Sequence, residues 1–174
     1  YAAAVLNDTA CAAYAEKVYT AILEKDYAFI RFSRGIGAAL FIQDRLLGRA
    51  CASYTQFGHF SISPQGPPCP CGNNGCLELV LSEEALPGRL HAEGTSSSLL
   101  SLPSIGYADL GRAALYGDQT AIQVIRKMAR EFSFALSNLI CLVHPRLIVL
   151  GGNACTLGPV FLEEIRLSLQ ETGF

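Results

Sequence analysis

An α/β domain with a mixed sheet is the fold that this 174-residue chain predicts. Three features point to it: β-rich runs joined by tight turns, a long amphipathic helix, and an apolar strand between that helix and another. In order, Asn7-Asp8-Thr9 supplies capping side chains for an Ala-rich helix over Ala10 to Leu23. Tyr27 to Phe32 and Gly37 to Ile42 are short strands, and Ser33-Arg34-Gly35 between them makes a hairpin. A turn at Gln43-Asp44 leads to a third strand, Arg45 to Ala52, and Leu77 to Leu81 is a short helix. Leu86 to Ser104 is rich in Gly, Ser and Pro without a clear period, and Ser96-Ser97-Ser98 reads as a mobile loop.

Tyr107 to Tyr116 is a second helical piece. Asp118 then caps a long helix whose apolar residues Ala121, Ile125, Met128, Phe132, Ala135, Leu139 and Val143 form one stripe. Phe134 lies off that stripe, on a flank suited to a dimer contact. His144-Pro145 ends the helix, because the residue before proline avoids the α region. Arg146 to Leu150 is a buried strand, Gly151-Gly152 a sharp turn and Pro159 to Leu169 a closing helix. There is no internal repeat.

The chain is 51% hydrophobic and 16% charged, enough for a sizeable core but poor in surface charge. That imbalance predicts a concealed face, either a subunit interface or a contact with another lobe. A net charge of −2 without a basic stripe gives no electrostatic footprint for nucleic acid. No segment resembles a signal peptide or reaches membrane-spanning length, so no membrane partner is expected. Cys11, Cys51, Cys141 and Cys155 lie among apolar neighbours as small hydrophobes, and the chain reads as cytoplasmic.

The densest chemistry lies in Cys69-Pro70-Cys71-Gly72-Asn73-Asn74-Gly75-Cys76, with Gly58-His59 upstream. Cys69, Cys71, Cys76 and His59 make a Cys₃His set, which suits tetrahedral Zn²⁺. Gly72 and Gly75 permit the positive φ of a tight knuckle. The rival readings are a disulfide with a spare thiol, or three unrelated buried cysteines. The spacing favours metal, and a four-ligand site is closed to substrate, so the zinc is structural.

Read together, Val5-Leu6-Asn7-Asp8, Gly35-Ile36-Gly37-Ala38, Gly58-His59, the knuckle through Leu77-Glu78, and Pro145-Arg146-Leu147-Ile148-Val149-Leu150-Gly151-Gly152 resemble the ROK family. That family comprises bacterial sugar kinases, sugar-responsive repressors and open reading frames. The resemblance implies an actin-like, ribonuclease-H-like fold, of which residues 1–174 are the second, sugar-side lobe. It also implies that a nucleotide lobe, any helix-turn-helix and a last strand and helix lie outside this chain. DNA would be bound only through such a region.

The resemblance further implies that Asp8 is the general base of a kinase, or else a helix cap, and that Asn7, His59 and Glu78 bond sugar hydroxyls. Gln56 stands where the family usually has a sugar-binding glutamate. Ser33-Arg34-Gly35 replaces the Gly-Thr-Gly that approaches ATP phosphates, leaving Arg34, Gly35, Gly151 and Gly152 as a degraded nucleotide site. These departures point to the sugar-sensing, zinc-containing lobe of a dimeric regulator without kinase activity. The alternative is a sugar kinase lobe using ATP and Mg²⁺. Either would bind a sugar or sugar phosphate.

Overall fold

The structure, a computed structural model, describes residues 6–48, 55–94 and 97–173. Helix α1 (Asp8–Tyr19) starts where the Asn7 side-chain oxygen accepts the Ala10 N–H at 2.7 Å. It stops four residues short of the expected Leu23. Thr20 Oγ1 donates to Glu16 O at 2.6 Å, satisfying a terminal carbonyl, and Ala21 adopts a left-handed φ of 52°. Leu23 is left exposed.

Strands β1 (Tyr27–Phe32), β2 (Ile36–Ile42), β3 (Arg45–Leu46) and β4 (Leu147–Gly152) form a sheet in the order β3-β2-β1-β4. β1 pairs antiparallel with β2 and parallel with β4, so the sheet is mixed as predicted. β3 is a two-residue stub, and residues 49–52 of the expected third strand lie outside the described residues. β4 is half-buried along its length, where a buried strand was predicted. It is the edge of the described sheet, so its second flank has no strand neighbour there.

Alternation along β1 feeds two cores. Ala28, Ile30 and Phe32 join the large core, whereas Tyr27 and Phe29 pack with Ala13, Ala39 and Phe41 beneath α1. Tyr27 stacks on Phe41 at 4.5 Å and donates its hydroxyl to Ala13 O at 3.1 Å. The large core lies against α5 (Gln119–Val143), capped by Asp118 Oδ1 accepting from Ala121 N at 3.0 Å. Its predicted stripe is buried through Leu139, widened by Val124, Ala129 and Leu136. His144 ends it in the left-handed conformation before Pro145.

Helix α2 (Leu77–Val80) follows the knuckle, and α4 (Tyr107–Leu115) and α6 (Pro159–Glu171) complete the layer. Glu164 on α6 is buried and clamped by Arg130 Nε at 2.6 Å and Arg126 Nε at 3.6 Å from α5. The stretch read as irregular contains α3 (Leu86–Glu93), with Pro87 in the first turn, where a missing N–H costs nothing. Ser97, expected to be mobile, is buried and donates to Asp118 Oδ2 at 2.7 Å; Ser96 lies outside the described residues. Cys11, Cys141 and Cys155, expected to lie among apolar neighbours as small hydrophobes, are exposed, and Cys51 is outside the described residues. Among the described residues, no helix is long and apolar enough to cross a membrane.

Phe132 is the keystone of the large core, fully buried, 5.2 Å edge-on to Phe32 and 5.8 Å from the stacked Phe161. Phe132→Ala is therefore expected to cost about 3–5 kcal/mol in urea denaturation, a large part of a typical domain's roughly 5–15 kcal/mol.

Candidate functional site

Three segments converge on the hairpin backbone at residues 35–37. From α2, Glu78 Oε2 accepts the Ile36 N–H at 3.0 Å. A Cβ on Gly35 would lie 2.2 Å from that oxygen, and one on Gly58 would lie 2.3 Å from Ile36 O. From α1, Thr9 packs on Gly37, where a Cβ would lie 2.5 Å from Thr9 Oγ1. Gly58 is therefore required by close approach to backbone, and Gly35 and Gly37 leave room for the Glu78 and Thr9 side chains, which brings the start of α1, the hairpin turn, the Phe57–His59 turn and α2 together.

The knuckle is built by short-range backbone bonds. Cys69 N–H donates to Asn73 O at 2.8 Å, Gly72 N–H to Cys69 O at 2.9 Å and Gly75 N–H to Pro67 O at 2.8 Å. Gly72 and Gly75 take φ of 95° and 60°, as predicted. His59, Cys69, Cys71 and Cys76 each present a ligand atom, all within 4.8 Å of one another. Cys69 Sγ lies 3.5 Å from His59 Nδ1, and Cys71 Sγ lies 3.5 Å from Cys76 Sγ. A tetrahedron with bonds of about 2.0–2.3 Å has edges of about 3.5–3.8 Å, so the donor set fits one zinc-sized ion. All three cysteines are free, which removes the disulfide reading, and their convergence removes that of unrelated thiols.

Electrostatics agree. Burial, followed by the Cys71 and Cys69 thiols, pushes the Cys76 thiol up to about 12, whereas the Asn73 N–H lowers that of exposed Cys71. Clustered sulfurs resist ionising together unless a cation compensates them. His59 turns Nδ1 to the sulfurs, which leaves its other nitrogen directed away from the cluster.

Asn7 and Asp8 are exposed at the start of α1. Asn7, not Asp8, supplies the cap. Asp8 Oδ1 accepts the Thr9 N–H at 2.8 Å, and Oδ2 is held by the Arg31 guanidinium. Arg31, and to a smaller degree the Thr9 N–H, hold the Asp8 carboxyl below its ordinary value. Arg31 was not singled out in the sequence, although it is the one charge in the apolar strand β1.

Beside the turn opens a cleft of about 300 Å³, lined by Ser33, Arg34, Gly35, Glu78, Glu83, Glu84, Tyr107 and Asn153 among others. Its carboxylates outnumber Arg34, and Glu83, Glu84, Tyr107 and Asn153 also escaped the sequence reading. Glu83 Oε1 accepts the Tyr107 N–H at 2.8 Å. Gly151 and Gly152 do not line this cleft; they end β4 beside Arg31 and Phe32, so their sharp turn is the strand exit. Gln56 is exposed and lines a separate groove with Leu40 and Leu139.

A sequence model described as the ROK family matches residues 2–172. The xylose repressor of Caldicellulosiruptor bescii is 28% identical over 155 residues, covering 86% of this chain and 39% of the repressor. A crystal structure of a ROK family transcriptional regulator, homologous to the E. coli MLC protein, has TM-score 0.85 and 31% identity over 96% of this chain and 43% of its own. A ROK family glucokinase from Streptomyces griseus, solved with glucose and AMPPNP, has TM-score 0.83 and 28% identity over 96% of this chain and 57% of its own. The chain therefore spans from about two-fifths to just over half the length of these relatives. With its motifs in order over nearly its whole length, it belongs to the ROK family and shares that family's actin-like ATPase fold.

Proposed function

We propose that residues 1–174 are the sugar-sensing, zinc-containing lobe of a ROK transcriptional regulator without kinase activity. The observation that carries this reading is the pairing of Asp8 with Arg31. A general base must be free to take a proton from the attacking hydroxyl. Here a guanidinium bonds one carboxylate oxygen and the Thr9 N–H the other, which lowers the carboxylate's proton affinity and still leaves lone pairs open to a donor. Asp8 is thereby suited to accept a hydrogen bond from a sugar hydroxyl rather than remove its proton.

The nucleotide side supports the same reading. Ser33 and Arg34 place side chains where a phosphate-binding turn needs bare backbone, and Glu78, Glu83 and Glu84 line the adjoining cleft. Negative charge at that density opposes a polyphosphate. Around the sugar, Asn7, Asp8, His59 and Glu78 supply donors and acceptors, with Gln56 as a neutral contact beyond them. Zinc bound by His59, Cys69, Cys71 and Cys76 holds the His59 ring and the start of Glu78's helix in place. DNA binding belongs to another part of the protein, and exposed Phe134 fits the face of a homodimer.

The second reading is the sugar-side lobe of a ROK kinase, with Asp8 as base and Gly35, Gly151 and Gly152 near ATP and Mg²⁺. Similarity to the Streptomyces griseus glucokinase favours it. Calorimetry on the intact protein with glucose and xylose separates the two. A regulator binds a sugar with no sugar-dependent ATP hydrolysis, and robust hydrolysis would sink the proposal.

Two variants test the parts. Cys71 is exposed, so Cys71→Ser removes a ligand with little loss of packing. Because structural zinc contributes about 10–16 kcal/mol in small metallo-domains, this change is expected to abolish both bound zinc and sugar affinity, read by metal analysis and calorimetry. Arg31→Ser removes the cation beside Asp8, so the Asp8 pKa should rise toward that of an unpaired carboxylate in a carboxyl NMR titration. The sign for stability follows. The pair stabilises the fold above the unfolded carboxylate's pKa, and that gain is lost as pH falls through the lowered value.

A further inference from the structure

Helix α2 has four residues, too few to hold its own position. Its first residue follows Cys76, so the knuckle fixes one end. The other end is fixed by a different device. Val80 O accepts from Arg89 Nε at 3.1 Å and from Nη2 at 2.7 Å, and Arg89 Nη2 also donates to Glu131 Oε2 of α5 at 2.6 Å. The neighbouring Leu81 O takes the Tyr107 hydroxyl. The Arg89 side chain is 18% exposed, so this fork is largely removed from water, unlike the exposed pair Arg112–Asp109.

Glu78 lies between the two anchors, and its carboxylate has little room. In this position it lies against residues 35 and 58, both glycine, and it reaches Ile36 N at 3.0 Å. A shift of α2 by a fraction of an ångström would break that bond or drive the carboxylate into backbone. We propose that Arg89, through its fork on Val80 O and its ion pair with Glu131, is a positioning residue that aims Glu78 into the cleft and so sets sugar affinity. The second half of this inference rests on the reading of Glu78 as a sugar contact. The first half, the aim of Glu78, does not. Lysine cannot replace the planar fork, since its single ammonium cannot grip the carbonyl and the carboxylate in the same geometry.

The competing account is that fully buried Leu77 and Leu81 hold α2 by packing alone, which would make Arg89 a dispensable surface pair. Amide exchange at Ile36 decides between them without any ligand, because its N–H is bonded to Glu78. In the zinc-loaded intact protein, Arg89→Met should speed Ile36 exchange about tenfold or more, with Phe29 and Ile30 of β1 and the zinc stoichiometry unchanged. Glu78→Ala should give the same loss at Ile36, and adding Arg89→Met to it should add nothing. Arg89→Lys carries the same prediction should the methionine variant unfold. Calorimetry with glucose and xylose should show about tenfold weaker binding in Arg89→Met, an effect absent once Glu78 is alanine. Unchanged Ile36 exchange in both Arg89 variants overturns the inference. If the native protein binds neither sugar, the sugar reading falls, and Ile36 still reports on Arg89.

Discussion

The site depends on a length of backbone that carries almost nothing but itself. Residues 35–37 present one side chain, Ile36, and it is buried in the large core. The space on either side is filled by Glu78 from α2, by Thr9 from α1 and by the turn that carries His59. A methyl group at position 35 or 37 would enter Glu78 or Thr9 at 2.2 Å and 2.5 Å respectively. Segments up to about seventy residues apart in sequence therefore meet where no side chain keeps them separate.

The proposed metal binding complements that constraint. Among the described residues the knuckle has short backbone bonds and two isolated bridges rather than regular structure, and Cys71 lies at the surface. Such a segment cannot bury enough apolar area to define its own shape. Four convergent S and N donors would supply, through a bound metal, what packing does not. Cys76 is both a member of that set and the residue from which α2 departs. The position of Glu78 is thus linked to the sulfur cluster through one helical turn and to α5 through Arg89.

Local signals were legible in the sequence where a single element's own chemistry decides its fate. Tyr27–Phe32 is a strand to the residue because aromatic and β-branched side chains dominate it, and α5 ends at Val143 because Pro145 forbids more. The four-ligand cluster was legible for the same reason, since its spacing carries its own geometry. Tertiary facts were not legible. Pro87 and Gly88 break the pattern of α3, yet Leu86 and Leu90 reach a core that holds the helix together. The exposure of β4 follows from its place at the sheet edge, which no local pattern encodes. Arg31 meets Asp8 across 23 residues, and the sole hint was a charge within an apolar strand.

The Asp8–Arg31 pair also bears on how a binding lobe and a catalytic lobe diverge on one scaffold. Binding a hydroxyl asks a carboxylate only for a lone pair in the right direction, and a neighbouring guanidinium fixes that direction. Catalysis asks the same carboxylate to accept charge redistribution as the proton transfers, and a guanidinium opposes it by stabilising the ionised ground state. A single strand residue facing α1 can therefore suppress the second property while improving the first. In the proposed regulator the Ser33-Arg34 turn and the carboxylates of the adjoining cleft would act on the other reactant, raising the cost of a polyphosphate. Neither feature disturbs the glycines, the knuckle or the cores, so the proposed regulator would keep the scaffold that recognition needs.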